Sequence, residues 1–418
     1  MSPPGSREFD VVIIGAGVIG TVMASLLVAR KLTVPGRVAI VADRLAGAVP
    51  PGADWDLKVF ALSRASQRLL EACSVWEKLP AARKFAYQRM CVWDAAGEAG
   101  GRGSLEFDCA ELGEPNLGFI VDGRHLQWQC LQAARASGAV LIEAGLESIG
   151  AGDAAMTTRL KDGRALSSQL TIAADGQESK TRALLGIETA GHAYHQDALV
   201  AHVRTARPHG NTAWQRFLPG GPLAFLPLAD GRSSIVWSVP REEAAHLGKL
   251  DDAAFAAALT AASGGVLGDV ALSSGRAAYP LKLQYASQYA RPRAVLLGDA
   301  AHAVHPLAGL GLNLGLLDCA ALAEVFEDAR GADDFGEYRI LRRYERRRRS
   351  ENLLAAAALD GLERLFSNAR PLSTALRAAG LAAVGRLPMV KRDLAQRALG
   401  LTGDVAGFLK ADRAWPHK

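Results

Sequence analysis

The sequence predicts an α/β fold in which a Rossmann-like nucleotide-binding domain carries an inserted, mostly antiparallel β-sheet domain and is followed by a helical C-terminal segment. Three observations support this class. A β-branched run from Phe9 to Ile14 passes through glycines into a helix-like stretch. Between about Gly191 and Gly275 the pattern changes to short alternating strands such as "LVAHVRTA" and "SSIVWSVP", with Gly/Pro turns between them. From Asp334 onward the apolar spacing is helical.

The composition indicates a soluble globular protein of more than one lobe. The chain has 418 residues, 49% hydrophobic and 22% charged, which is too long for one ordinary core. The net charge of +5 comes from interspersed charges and does not indicate nucleic-acid binding. Five scattered cysteines without a C-x-x-C pair favour a reducing cytoplasm and no metal knuckle. The uncharged stretch from Val11 to Ala29 contains three glycines, so we interpret it as a strand and a helix, not a membrane span or signal peptide.

The first strand and helix are joined by a dinucleotide-binding fingerprint. In "FDVVIIGAGVIGTVMASLLVARK", Gly15 suits a tight turn, Gly17 allows backbone to approach a pyrophosphate, and Gly20 allows the helix from about Val18 to Arg30 to pack on the strand. The phosphates would then face the positive end of that helix. The next apolar run, "RVAIVADR", predicts a second parallel strand. Asp43 at its end is the candidate for the adenosine ribose hydroxyls, with a solvated strand-end acid as the alternative.

Further along the chain, strands again end on an acid beside a glycine. The segment "WDLKVFALSRASQRLLEACSVWEKL" predicts a loop and then a helix with apolar positions at Leu62, Leu69, Leu70 and Val75, and "GFIVDGRHLQWQCLQAARASG" predicts an extended start and an amphipathic helix. "LTIAADGQESKTRALLGI" then places Asp175-Gly176 after a strand, and "AVLLGDAAHAVHPLAGLGLNLG" does the same with Gly298-Asp299. We expect these acids at the carboxyl ends of strands, where open α/β sheets bind ligands.

The loop after Asp299 leads into a helix that begins at about Gly311. Its backbone N–H groups and positive dipole suit a ligand that is, or becomes, anionic, as a flavin does on reduction. Asp299 would accept hydrogen bonds from the ribityl hydroxyls of such a cofactor. A plain nicotinamide enzyme has no use for this second site so late in the chain.

These motifs resemble the FAD-dependent aromatic hydroxylases of the para-hydroxybenzoate hydroxylase superfamily, and within it the UbiH/UbiF/VisC-type hydroxylases of ubiquinone biosynthesis. The resemblance extends over nearly the whole chain, and its most specific piece is "GDAAHAVHPLAGLGLNLG". It implies non-covalent FAD, NAD(P)H or another reductant as electron donor, and O2. The implied reaction is ring hydroxylation of a polyprenylated phenol through a flavin hydroperoxide.

The resemblance also implies roles for individual residues. The flavin-ring loop is expected to be the catalytic element, without an assigned side-chain acid or base, at Pro306, Gly309 and Gly311. The expected cofactor contacts are Gly15, Gly17, Gly20, Asp43, Lys58, Arg124, Asp175, Gly176, Gly298, Asp299, Pro306, Gly309, Leu310, Gly311 and Asn313.

The sequence also departs from the family pattern at three of these places. The ribose acid usually stands at Ala42, Arg is common at Lys58, and Gln is frequent at Leu310.

Several alternatives stay open at this stage. Asp299, His302 and His305 could form an iron triad, although a metal does not explain the glycines around them. The aromatic residues of the inserted sheet could face a substrate or form plain core; they are Trp214, Phe217, Phe225 and Trp237. The arginines in "RRYERRRR" predict a solvated helical face, or, together with "LRAAGLAAVGRLPMVKRDLAQRAL", a basic surface for an anionic membrane or a partner protein.

The organisation and surroundings are predicted as follows. The FAD-binding domain comprises residues 1–78, 112–188 and 276–333, the substrate domain comprises 79–111 and 189–275, and a helical region comprises 334–418. The protein is expected in the cytoplasm or peripherally on the inner membrane. It is expected to act on an aromatic small molecule and not to bind nucleic acid. It could act alone, as a homo-oligomer or within a biosynthetic complex. Two other functions compete: another flavin enzyme on this fold, such as a hydroxylase of soluble phenols, and a non-catalytic FAD-binding scaffold subunit.

Overall fold

The computed structural model describes residues 8–101, 103–304, 310–330, 334–366, 387–400, 402 and 405–410. The strands are β1 Phe9–Ile14, β2 Val38–Ala42, β3 Val59–Leu62, β4 Lys84–Tyr87, β5 Arg89–Asp94, β6 Ser104–Asp108, β7 Gly118–Asp122, β8 Val140–Glu143, β9 Leu146–Ala151, β10 Met156–Leu160, β11 Ala165–Ala173, β12 Thr189–Thr205, β13 Thr212–Leu218, β14 Gly221–Pro227, β15 Ser233–Pro240, β16 Val270–Leu272, β17 Ala277–Ala286, β18 Ala290–Arg291, β19 Ala294–Leu296 and β20 His302–Ala303. The helices are α1 Val18–Ala29, α2 Arg64–Ala72, α3 Cys109–Leu112, α4 Gly123–Ala136, α5 Lys180–Leu184, α6 Arg241–Lys249, α7 Asp252–Ser263, α8 Leu310–Asp328, α9 Tyr338–Phe366 and α10 Pro388–Ala398.

The nucleotide-binding part is built on an eight-stranded sheet. Its path is β18-β19-β11-β1-β2-β8, with the β9 and β10 hairpin added on β11. Strands β19, β11, β1, β2 and β8 are parallel, and helices α1, α4 and α8 pack in the same apolar core. Ile14 lies beside Ala173, and Ala173 beside Leu296. The prediction that the turn at Gly15 and the turns at Asp175 and Asp299 follow strands of one sheet is therefore confirmed.

The second sheet has nine strands in the order β20-β17-β12-β15-β14-β13-β5-β6, with β16 on β12. All its pairs are antiparallel except β13 with β5, which agrees with a mostly antiparallel insertion. It includes β17 and β20, which lie beyond the expected boundary near Gly275. Helices α6 and α7 were not predicted from the sequence, and their apolar side chains cover one face of this sheet.

We call the face under α6 and α7 the outer face and the opposite one the inner face. Phe225 and Trp237 are buried on the outer face with Phe255 and Leu259 of α7, and Trp214 packs against the same cluster. The hypothesis that these three aromatic residues face a substrate is therefore wrong, because they fill the core between sheet and helices. Phe217 lies on the inner face and contacts a different cluster.

A small third sheet is ordered β3-β7-β4. Its Val121 packs in the main core, and its Ile120 packs with Leu226 of the nine-stranded sheet. Leu62 belongs to β3 and not to the following helix as predicted, because Ser63 caps α2 by accepting a hydrogen bond from the Ser66 N–H. The pattern at Leu69 and Leu70 was correctly interpreted as helical.

The C-terminal residues return to the nucleotide-binding part. The Leu399 carbonyl accepts a hydrogen bond from the Ala65 N–H, and Val405 and Leu409 are buried in the main core. Removal of everything after Ser367 would therefore expose that core, so such a truncation cannot separate surface effects from folding. Of the helices in the described part of the chain, none is both long enough and apolar enough to cross a membrane.

Candidate functional site

The glycine turn after β1 forms one side of the candidate site. Gly15 has φ +114°, and a Cβ there would lie closer than 3.0 Å to the Ala174 carbonyl at the end of β11. A Cβ on Gly20 would equally overlap the Gly15 carbonyl, so this glycine allows α1 to approach β1. A Cβ on Gly17 would meet nothing within 4 Å. The helix therefore begins at an open surface where N–H groups remain for a ligand.

The three strand-end acids have different surroundings. Asp175 accepts hydrogen bonds from the Ser179 hydroxyl and from the Thr181 N–H and hydroxyl at 2.9 and 2.8 Å, so its carboxylate organises the start of α5. Asp43 is exposed and lies beside Gly145 in the turn after β8. Asp299 is exposed as well, and none of the described residues donates a hydrogen bond to its carboxylate. Asp175 is therefore used inside the protein, whereas the Asp43 and Asp299 carboxylates receive no hydrogen bond from any described residue.

The pKa of Asp299 is shifted by its surroundings. Burial raises it above the ordinary value for an aspartate, while His302 and Lys58 partly lower it. The residue itself is exposed, so its carboxylate is reachable from solvent. Hydroxyl donors from a ligand would stabilise its ionised form.

The residues expected to supply positive charge lie on neighbouring segments. Lys58 is exposed before β3, with its ammonium 5.3 Å from the centre of the Phe60 ring. Arg124, also exposed, stands at the start of α4 and donates to the Asp54 carbonyl at 2.8 Å. The two are close along the backbone because the Gly123 N–H donates to the Lys58 carbonyl at 3.0 Å.

The Asp54 carboxylate joins the segments that carry Lys58 and Arg124 to the nine-stranded sheet. It pairs with Arg232, a buried residue before β15 that also pairs with Asp230 at 2.8 Å. Arg232 holds the pKa of Asp54 at about 2, against a smaller opposing effect of burial. The segment that carries Lys58 is therefore anchored to the inserted sheet by an ion pair that the sequence analysis missed.

A buried ionic cluster beneath the Asp299 turn was also missed. Asp318 of α8 is fully buried and accepts hydrogen bonds from His302 Nε2 (2.6 Å), Arg348 Nε (2.8 Å), Asn352 Nδ2 (3.1 Å) and the Gly298 N–H (3.2 Å). Burial opposes ionisation of Asp318, but His302 and Arg348 together hold its pKa below the ordinary value. A lone acid inside the apolar run "LGLLDCAALA" was the signal that could have identified it.

This cluster bears on two earlier hypotheses. His302 Nε2 contacts the Asp318 carboxylate, and among the described residues no group of three His, Cys, Asp or Glu side chains is placed to hold a metal ion. His305 lies outside the described residues. Arg348 is buried and is therefore not part of a solvated arginine face. Two other arginines of this run form ion pairs: Arg347 pairs with Glu324 at 2.5 Å, and Arg343 pairs with Asp328 at 3.3 Å.

The start of α8 is held by Asn313, which the resemblance assigned to the cofactor. Its Oδ1 accepts from the Ser63 N–H at 2.9 Å and from the Ser66 hydroxyl at 2.6 Å, and its Nδ2 donates to the Ala61 carbonyl at 2.8 Å. The side chain thus connects α8 to β3 and α2. Leu310 and Gly311 form the first residues of α8, and Pro306 and Gly309 lie outside the described residues.

Two further features link the turns of the site. Arg182, buried after Gly176, donates to the Ala300 carbonyl at 2.9 Å and to the Gln177 carbonyl at 3.0 Å. Gly298 lies close to Gly315 of α8, where a Cβ would come within 3.1 Å of the Gly298 Cα. The turn at Asp175, the turn at Asp299 and helix α8 therefore form one packed unit.

The inner face of the nine-stranded sheet lies towards this unit. Phe217 and Val92 are buried with Leu359 of α9, and Val304 packs on the same cluster directly after β20. Leu226 packs on Trp55 and Ile120 beside the small sheet. The chain that leaves the Asp299 turn thus runs under an apolar sheet face.

The residues fit the cofactor that the resemblance implies. The surface above Gly17 is open, Asp299 is reachable and without a partner among the described residues, and Lys58 supplies positive charge close to it. One end of the site suits a pyrophosphate and the other suits hydroxyl groups.

Comparison with known proteins gives consistent results. Residues 129–356 match the family model described as "FAD binding domain". The chain is 33% identical to the 3-demethoxyubiquinol 3-hydroxylase of Escherichia coli over 403 residues, which is 95% of this chain and all of that protein. It is 34% identical to the ubiquinone hydroxylase UbiL of Rhodospirillum rubrum over 396 residues, 94% of this chain and 89% of that one. Among solved structures, p-nitrophenol 4-monooxygenase PnpA of Pseudomonas putida has the same fold, with TM-score 0.73 and 19% identity over 94% of this chain and 98% of that chain.

Proposed function

Because the chain belongs to the UbiH/COQ6 family of FAD-dependent hydroxylases, we propose that it hydroxylates the ring of a polyprenylated phenol intermediate of ubiquinone biosynthesis. The observation that carries the proposal is the exposed Asp299 carboxylate, to which none of the described residues donates a hydrogen bond, at a turn from which the chain passes under an apolar sheet face. Relatives named for ubiquinone intermediates match over nearly the full length, which supports this substrate class.

The cofactor of this enzyme is FAD, which supplies electron transfer from a reductant and activation of O2 when it is bound. We propose that the N–H groups at Gly17 and the start of α1 bind the pyrophosphate, and that Asp299 accepts hydrogen bonds from ribityl hydroxyls. Lys58 would add positive charge at the same cleft. Gly298, Asp318 and Arg348 keep Asp299 at its position through the buried cluster.

Asn313, Asp175 and Arg124 have different proposed parts. The Asn313 and Asp175 side chains are used inside the protein and would fix the start of α8 and the turn at Gly176, with cofactor contacts there made by backbone. Arg124 keeps exposed N–H groups beside its bond to Asp54 and could still contact the cofactor. Asp43 remains the proposed ribose acid.

The substrate ring is proposed to bind between the flavin loop and the inner face. An apolar, water-poor surface such as that around Phe217 and Leu226 suits a ring that receives an oxygen atom without help from a side-chain acid. The isoprenoid tail would extend away from the ring along apolar surface.

A peripheral membrane contact is part of this proposal. Met389 and Leu387 at the start of α10 are 87% and 52% exposed, and the exposed Arg392 follows them, while Lys391 pairs with Glu111 at 2.6 Å. Apolar side chains beside basic ones favour an anionic lipid surface, where a polyprenylated substrate would be dissolved.

The experiment is turnover of purified holoenzyme with a prenylated phenol, NADH or NADPH, and 18O2. We expect a product heavier by one 18O atom, formed in proportion to reductant consumed. A water-soluble phenol converted at the same rate would support a soluble-phenol hydroxylase instead. Tight FAD binding without any product from either substrate or reductant would support a scaffold role.

A further inference from the structure

A short segment without regular secondary structure is bonded both to the nucleotide-binding part and to the nine-stranded sheet. It comprises residues 54–58, which we call the strap, and it leads directly into β3. On the side of the nucleotide-binding part, the Asp56 N–H donates to the buried Asp122 carboxylate at 2.8 Å. The Gly123 N–H donates to the Lys58 carbonyl at 3.0 Å. These bonds hold the strap against the start of α4.

On the other side, the strap is held by side chains of the inserted part. The buried His202 of β12 donates from Nε2 to the Asp56 carbonyl at 3.0 Å. Arg232, between β14 and β15, donates to both oxygens of the Asp54 carboxylate, and the bond from its Nη1 is 3.1 Å long. Trp55 is buried in an apolar cluster that includes side chains of the same sheet. The two parts of the protein therefore meet at the strap.

Arg232 has two carboxylate partners, and only one of them comes from its own turn. Asp230 accepts from its Nε at 3.0 Å and from its Nη2 at 2.8 Å, and this one acid already balances the charge of the guanidinium. Asp54 is 178 residues away in the chain, and its side chain is 58% exposed. An ion pair with so exposed an acid adds little stability. The planar guanidinium does, however, fix the direction of the second carboxylate and thereby the place of the strap.

The place of the strap matters because the strap ends at Lys58. Burial raises the pKa of Asp299, and the Lys58 ammonium opposes that shift, so the two charged groups lie within reach of each other's field. The Lys58 side chain is exposed and has a flexible stem, so its average position follows the backbone that carries it. Any shift of the strap would move this charge relative to the Asp299 turn.

We infer that Arg232 is a positioning residue for FAD binding. Through Asp54 it holds the strap, and with it Lys58, at the Asp299 turn, although its own guanidinium is buried and is already used by two carboxylates. The inference rests on the proposed location of FAD beside Asp299 and Lys58 and refines it. The affinity for FAD would be set in part by a residue of the inserted part of the protein.

This inference predicts an effect of Asp54 that is opposite in sign to that of its charge. Asp54→Asn removes a negative charge close to a site proposed for an anionic pyrophosphate, so Coulomb repulsion alone would make FAD bind more tightly in the variant. Loss of the hold on the strap would make FAD bind more weakly. The direction of the change in affinity therefore distinguishes the two effects.

The test is titration of each apoprotein with FAD, followed by quenching of flavin fluorescence. Arg232→Met removes the guanidinium, Asp54→Asn removes the charge of the strap carboxylate, and Asp54→Glu keeps a carboxylate on a longer side chain. Asp230→Asn is the matched control for Asp54→Asn, because it neutralises the other acid on the same guanidinium. Arg276→Met is the matched control for Arg232→Met, because Arg276 pairs with an acid of the inserted part, Asp252, at 3.4 Å.

We expect Arg232→Met and Asp54→Asn each to weaken FAD binding about three- to tenfold, at most the effect of one lost hydrogen bond to a charged group. Asp54→Glu should recover part of the affinity. The two substitutions together should weaken binding no more than the more harmful one does alone, because both release the same strap. Both control variants should lower the melting temperature and leave the affinity for FAD within about twofold of wild type.

A second comparison connects Arg232 to Lys58. Lys58→Met alone should weaken FAD binding about tenfold, since it removes the charge that the strap carries. Arg232→Met should then weaken binding by about twofold or less when it is added to Lys58→Met. A general loss of stability in Arg232→Met would instead reduce the affinity by the same factor in both backgrounds. Melting temperatures of the four apoproteins verify that each is folded.

FAD affinity in Arg232→Met and Asp54→Asn that equals or exceeds that of wild type would refute the inference. Full additivity of Arg232→Met with Lys58→Met, or unchanged affinity in Lys58→Met, would refute it as well. Turnover of wild-type holoenzyme with a prenylphenol is measured separately. The expected pattern of FAD affinities without any hydroxylated product would refute the proposed function alone, whereas normal turnover with unchanged FAD affinity in Arg232→Met would refute the role of Arg232 alone.

Discussion

Two glycines of the first turn should respond differently to the same added methyl group. In Gly20→Ala the new Cβ would lie closer than 3.0 Å to the Gly15 carbonyl, a separation that real Cβ atoms essentially never show. That carbonyl belongs to a turn whose Gly15 is itself pressed against β11, so it cannot move freely. The overlap should cost about 1–3 kcal/mol or more, partly offset by about 1 kcal/mol of better helix propensity.

In Gly17→Ala the new Cβ meets no atom of the protein within 4 Å. The backbone there, with φ −72° and ψ −179°, is open to alanine, and the loss at an N-cap position is about 1 kcal/mol or less. The apoprotein should therefore keep its stability within a degree or two of melting temperature. If a pyrophosphate lies over Gly17, the same methyl group should weaken FAD binding by a hundredfold or more, about 2.7 kcal/mol.

The assay is differential scanning fluorimetry of both apoproteins, followed by FAD titration monitored by quenching of flavin fluorescence. Gly20→Ala should lower the apo melting temperature by several degrees and also weaken FAD binding. Gly17→Ala should change FAD binding only. Normal FAD affinity in Gly17→Ala would show that the open surface over this glycine is not the pyrophosphate site.

Three further outcomes are expected. Asp299→Asn should weaken FAD binding by about 1.5–3 kcal/mol in the same titration. The apoprotein of this variant should be more stable than wild type at neutral pH. Burial raises the pKa of Asp299, so the wild-type protein loses stability as the pH rises through that pKa. Denaturant unfolding at several pH values should show that the extra stability of the variant disappears below that pKa. Asp318→Asn should lower the free energy of unfolding by about 3–5 kcal/mol, since Arg348 would stay buried with a weaker partner. Arg348→Met should cause an equal loss, and the double variant should lose less than the sum of the two single variants. Met389→Asp should reduce co-sedimentation with anionic vesicles and leave FAD content unchanged, whereas unaltered sedimentation would count against the membrane contact.

Sequence reasoning worked where a pattern and a local conformation determine each other. The strand at Phe9–Ile14 and the glycine turn after it are fixed by φ, by helix packing and by the strand period, all within a dozen residues. The meeting of the Asp175 and Asp299 turns also followed, because parallel strands end at one edge of a sheet.

Prediction from the sequence failed where the partner of a side chain is distant along the chain. It also failed where the alternation of side chains along a strand does not tell which face of the sheet is covered. Trp214 and Gln215 are adjacent, and nothing local tells which of them lies on the outer face; the unpredicted helices α6 and α7 decide it by covering Trp214. The arginine run of α9 looks solvated from composition, yet Arg348 is drawn into the core by Asp318, 30 residues earlier. Asn313 matched a cofactor position but is used by Ser63 and Ser66 of another helix.

The contrast between Asp318 and Asp299 explains how this chain can keep an acid ready for a ligand. Asp318 accepts four hydrogen bonds, one of them from the N–H of Gly298, the residue before Asp299. This fixes the backbone beside Asp299 without using the Asp299 carboxylate, whose pKa is raised by burial. A ligand that donates hydroxyl groups then relieves an existing penalty instead of displacing an internal partner. It follows that FAD binding should stabilise wild type more than it stabilises Asp299→Asn, even though the variant apoprotein is the more stable of the two at neutral pH.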